Sequence, residues 1–143
     1  MNVESILRTK GRNVVTIKPD ARIEAAVALL RRHDIGAVIV SSDDLNIDGV
    51  LSERDIVQAL AGHGAEALSL AVSEIMTRRV VTCGPDDSVA DLMALMTDRR
   101  IRHLPVLRNG VLAGMVSIGD VVKNRIDEVE GEALSMREFI TGA

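Results

Sequence analysis

The chain has 143 residues, 47% hydrophobic and 27% charged, the composition of one folded domain or of two small halves sharing a core. A net charge of −4 and a single aromatic residue, Phe139, argue against a surface that grips nucleic-acid phosphates or stacks bases. The apolar runs are too short to span a bilayer, no basic and apolar leader opens the chain, and Cys83 has no disulfide partner, so a cytoplasmic protein without membrane attachment is expected.

An internal repeat orders everything else. Val3, Ile6 and Leu7 open the first copy, and Val72, Ile75 and Met76 open the second. A short β-branched strand follows, Val14 to Ile17, with its counterpart 66 positions later at Val80 to Cys83. Pro19-Asp20 and Pro85-Asp86 end these strands, because proline fixes φ and aspartate bonds to its own turn. Apolar residues at helical spacing come next: Ile23, Ala26, Val27 and Leu30, then Val89, Leu92, Met93 and Met96. Two strands then read as Ala37 to Val40 and Val50 to Leu51, joined by the polar loop 41–48. Their counterparts are Leu104 to Leu107 and Leu112 to Val116, joined at the hairpin signal Asn109-Gly110. A last helix starts after Ser52 and after Ser117. The reading is α+β: two β-α-β-β-α repeats packed about a pseudo-two-fold axis, over 1–62 and 72–126, with a linker over 63–71 and a helical extension over 127–143. One unit of this size buries too little surface alone, so the halves should share a core and leave clefts where they meet.

Ser52-Glu53-Arg54-Asp55 and Ser117-Ile118-Gly119-Asp120 stand at the two strand-to-helix junctions. The simplest role is capping, with serine accepting an orphan backbone N–H and the acid favouring the helix start. Yet the acid is aspartate twice, where glutamate reaches back better, and both motifs follow a strand and a small-residue turn. An aspartate there can accept both hydroxyls of a ribose while the helix N–H groups receive a phosphate. The two roles are compatible.

The doubled pattern resembles a tandem pair of CBS motifs, the module first known from the tail of cystathionine β-synthase. The resemblance rests on Val14-Val15-Thr16, Gly36-Ala37-Val38-Ile39-Val40, Ile101-Arg102-His103-Leu104-Pro105-Val106 and the two segments ending in Ser-x-x-Asp. It implies a disc-like pair binding adenosine-containing ligands: AMP or NAD(H) first, with ATP, ADP or S-adenosylmethionine as further candidates. By position, Asp55 and Asp120 would hold riboses, with Ser52 and Ser117 beside phosphate. Thr16, Thr82, Val38 and Leu104 would border adenine. Ile39 stands where the second copy has Pro105, which makes the first adenine pocket depart from the pattern.

Arg54 stands where the second copy has Gly119, so one site should be more anion-seeking than the other. In the basic run Arg99, Arg100, Arg102 and His103, strand alternation puts Arg102 with Leu104 and His103 on the opposite side, and His103 is favoured for the cleft. His33 and His63 lack partners at metal-ligand spacing, and Cys83 reads as packing, so neither metal nor catalysis is expected. From Ile118 to Ile140 the sequence reads as one helix, with Val122, Ile126, Val129, Ala133, Met136 and Ile140 forming a coiled-coil-like seam. That seam suits a homodimer, or packing back across the pair. The expected function is a nucleotide-responsive regulator signalling to a separate partner protein; the alternative is a structural dimerisation module.

Overall fold

Two hydrophobic cores, one under each repeat, organise the computed structural model, which describes residues 1–11 and 13–141. In chain order the elements are α1 (Val3–Lys10), β1 (Thr16–Ile17), α2 (Ile23–His33), β2 (Ala37–Val40), β3 (Gly49–Ser52) and α3 (Glu53–His63). The second repeat gives α4 (Val72–Ile75), α5 (Val89–Arg99), β4 (His103–Arg108), β5 (Val111–Ser117) and α6 (Ile118–Thr141). The apolar stripes meet the cores as their spacing demands: Ile23, Ala26 and Leu30 of α2 are buried, as are Val89, Leu92 and Met96 of α5. Helix ends repeat too. Asp34 and Arg100, at equivalent positions, both stop their helix in the left-handed conformation. Asn109 and Gly110 have φ of 53° and 77°, as a tight two-residue hairpin requires.

The first sheet runs β1-β2-β3, with β1 parallel and β3 antiparallel to β2. The second is only β4-β5. The expected strand Val80 to Cys83 shrinks to one parallel bridge, Cys83 to Val106. Cys83 still donates to the Pro105 carbonyl and accepts from Leu107 N–H, but the next rung needs an N–H that Pro105 lacks. The segment expected as a linker folds into a 3-10 turn over Gly64–Ser69, where Ala67 is fully buried and Leu68 and Leu70 pack on the first core.

The leading helices cross over. Val3, Ile6 and Leu7 of α1 lie in the core of the second repeat, while Val72 and Met76 lie in the core of the first. Each crossing is pinned by the same pair of bonds. Val3 N–H donates to Asp87 O and Glu4 N–H to Pro85 O; Val72 N–H donates to Ala21 O and Ser73 N–H to Pro19 O. Close approach requires glycine where each leader passes the sheet. A methyl at Gly114 would stand 2.7 Å from Leu7 Cδ2, and one at Gly49 would stand 2.7 Å from Met76 Sδ and 2.8 Å from Thr77 O. The glycines before the Ser-x-x-Asp motifs therefore serve packing between repeats. α6 covers the second repeat with its first turns, Val121 being buried, but every residue from Val129 to Ile140 is exposed. The stretch from Val129 to Ile140 does not pack back over the described residues of its own chain.

Candidate functional site

Both Ser-x-x-Asp motifs are built as reciprocal caps. Ser52 N–H donates to Asp55 Oδ2 at 2.9 Å, and Asp55 N–H returns to Ser52 Oγ at 3.3 Å. Ser117 N–H donates to Asp120 Oδ2 at 2.9 Å, and Asp120 N–H to Ser117 Oγ at 3.2 Å. This arrangement satisfies orphan helix donors and spends one carboxylate oxygen of each aspartate. What reaches the carboxylates next comes from the crossed leaders. Thr77, just past α4, donates its hydroxyl to Asp55 Oδ1 at 3.3 Å. Lys10, the last residue of α1, puts its ammonium 2.6 Å from Asp120 Oδ2 and 3.0 Å from the Met115 carbonyl.

The two clefts are then closed differently. Beside Asp55 the segment after α4 zips onto β3, Val50 and Thr77 exchanging both backbone bonds. Beside Asp120 the equivalent carbonyl, Met115 O, takes a lysine side chain instead of a backbone N–H. A cavity of ≈ 310 Å³ opens between Asn13, Val14 and Thr16 on one side and Leu112 and Ala113 on the other. Asp44 closes its rim, accepting the Thr16 hydroxyl at 2.7 Å, and Leu45 O accepts from Leu112 N–H. Met115 and Ser117 share one face of β5, and Ala113 is the unpaired residue of a bulge. The cavity thus lies against the start of β5, and Lys10 and Asp120 meet at the far end of the same strand.

His103 lies beside the Asp120 cap, where the two repeats meet. It pairs with Ser117 across the β4-β5 ladder. A methyl on Gly36 of the first repeat would come 3.4 Å from its Cε1 and 3.7 Å from Glu53 Oε1. Burial holds the His103 imidazole below its ordinary pKa and Lys10 pushes the same way, while Glu53 and Asp120 pull against them. Burial pushes the Asp120 carboxyl up, but the Lys10 ammonium and the Ser117 N–H outweigh it and hold the group below its usual value.

Of the residues singled out in the sequence, Thr16 lines the cavity, while His103, Ser117 and Asp120 gather at the start of α6, with Pro105 on the His103 face of β4. Ser52 and Asp55 form the other cleft, and Thr82 is half-buried. Val38 and Leu104 are fully buried in the two cores, on the opposite strand face from the groove, so the structure does not bring them to a ligand surface. Arg54 and Arg102 are exposed to solvent. Gly119 is exposed at the start of α6, and an added Cβ would find only Ser117 Oγ, at 3.6 Å. Sequence reasoning missed Lys10, Asp44, Met115 and Thr77. The signal that could have found Lys10 and Thr77 is the repeated leader, had its crossing been considered. Among the described residues no cluster of His, Cys, Asp and Glu could hold a metal ion. No described helix is long and apolar enough to cross a membrane. Burial, with Asp87 adding to it, raises the Cys83 thiol to about 12, which makes it an inert core group.

The model of the CBS domain matches residues 3–62 and again 72–127. The chain belongs to the CBS-domain family. The CBS-domain-containing protein ATU1752 of Agrobacterium tumefaciens is 48% identical in a crystal structure with a TM-score of 0.85, covering 87% of this chain and 99% of that one. The CBS domain-containing protein YhcV of Bacillus subtilis is 31% identical over 93% of this chain and 94% of its own length. The CBS domain pair of protein MJ0100, crystallised in complex with 5′-methylthioadenosine and S-adenosyl-L-methionine, is 25% identical with a TM-score of 0.76, over 86% of this chain and 98% of that chain. This CBS pair therefore shares its architecture with a pair that takes adenosine compounds.

Proposed function

We propose that this CBS pair is a non-catalytic regulator that binds an adenosine-containing ligand in the groove at Asp120. The observation that carries the reading is a ≈ 310 Å³ cavity between Thr16 of one repeat and Leu112 and Ala113 of the other, on the strand β5 that leads into the Asp120 cap. The base would enter the cavity beside Thr16. The ribose diol would bond to Asp120, whose Oδ1 carries no hydrogen bond among the described residues. AMP and NAD(H) are the first candidates, with ATP, ADP and S-adenosylmethionine as further members of the class. The Asp55 cleft, with its backbone zipped at Val50 and Thr77, is the weaker site. Both aspartates are tied into caps rather than poised as acid and base, which favours a regulator over an enzyme. The output passes through a homodimer made along α6, where Ile126, Val129, Met136 and Ile140 are exposed, to a separate target protein.

Titration calorimetry with AMP, NAD and inosine monophosphate tests the reading on the full chain. AMP should bind with one site dominating. Asp120→Asn should weaken it about ten-fold or more, since a charge-assisted bond contributes about 1.5–3 kcal/mol, while Asp55→Asn should change it little. Silence toward every adenosine ligand at millimolar concentration would refute the reading and leave a structural dimerisation module.

A further inference from the structure

The two pseudo-equivalent grooves of one chain differ chiefly in what the crossed leader presents to the aspartate. At Asp55 it is the Thr77 hydroxyl; at Asp120 it is the Lys10 ammonium. Lys10 is not a chance visitor. It is the final residue of α1, whose Val3, Ile6 and Leu7 are buried in the second core, and Gly11, with φ of 97°, turns the chain away immediately after it. The stem of the lysine thus leaves from a fixed point, 38% exposed at its side chain against 24% for Asp120. We propose that Lys10 makes the Asp120 groove selective for ligands carrying a phosphate, acting as its specificity-determining residue; this rests on the reading of the groove as a nucleotide site.

The chemistry follows from the acceptors. Asp120 Oδ2 already receives the Ser117 N–H and the Lys10 ammonium. A ribose that engages the carboxylate through both hydroxyls must compete with Lys10 for Oδ2. Displacing the lysine leaves an ammonium partly shielded from water, beside an imidazole that burial keeps neutral and that offers no countercharge. Ammonium has three donors and no acceptor, and only Met115 O would remain to it. A phosphate on the 5′ side answers that cation; a bare nucleoside does not. Among the described residues no such cation bonds to Asp55, so phosphate selectivity belongs to the Asp120 groove.

Calorimetric titration of AMP and adenosine into the full chain, the Lys10→Met, Lys10→Arg and Asp120→Asn variants decides this. The parent should prefer AMP over adenosine by about ten-fold or more, as expected for a charge-assisted contact. Lys10→Met should lose that preference, with AMP weakened and adenosine unchanged or strengthened, and Lys10→Arg should restore it. Asp120→Asn should weaken both ligands together. An AMP to adenosine ratio that is the same in the parent and in Lys10→Met would overturn the proposal while leaving the nucleotide site standing. Binding of neither ligand by the parent would overturn both. Melting curves accompany each variant, so that a folding defect is distinguished from a change in selectivity.

Discussion

Replacing Leu7 by alanine should damage the second repeat although Leu7 belongs to the first in sequence. Its side chain is 1% exposed and packs among Val89, Leu92, Val106 and Val116. Truncation of a leucine so buried costs about 2–5 kcal/mol, a large share of the roughly 5–15 kcal/mol that holds a domain together. Gly114→Ala should also destabilise, by about 1–3 kcal/mol, because the new methyl would lie 2.7 Å from Leu7 Cδ2. Together the two changes relieve each other, since the added methyl enters the space that the leucine vacates. Urea unfolding of the parent, both single variants and the double variant measures the coupling. The double should be at least about 0.5 kcal/mol more stable than the sum of the singles predicts. Strict additivity, or a Leu7→Ala cost under about 1 kcal/mol, would refute the crossed packing of α1 on β5.

Two further outcomes follow from the same geometry. The native state keeps the His103 imidazole neutral below the ordinary histidine value of 6.5, so the unfolded chain binds more protons there and stability should fall as pH drops from about 7 to about 5. Thermal melts should show His103→Asn flattening that slope relative to the parent, and an identical slope in both would rule His103 out as its source. A chain ending at Asp127 should keep its fold but become monomeric by light scattering, because it loses the exposed apolar side chains from Val129 to Ile140; a truncated chain that still dimerises would move the interface off this segment.

The local grammar of the chain was legible because it repeats and because each signal acts over a few residues. Apolar spacing fixed α2 and α5, Asn109-Gly110 fixed the hairpin, and Ser-x-x-Asp fixed the starts of α3 and α6, since caps and turns are satisfied within three or four positions. Strand alternation sets His103 and Leu104 on opposite faces of β4. The same alternation, read with the burial, puts Val38 and Leu104 into the cores, a side that no single strand reveals without knowing what packs beneath it. Tertiary structure alone decided the crossing of α1 and α4, the opening of one groove and the zipping of the other, and the seat of Lys10. Lys10 and Asp120 lie 110 positions apart. Their meeting depends on Val3, Ile6 and Leu7 burying their surface against the far repeat rather than their own, a choice set by the total apolar area covered and not by any neighbour in sequence.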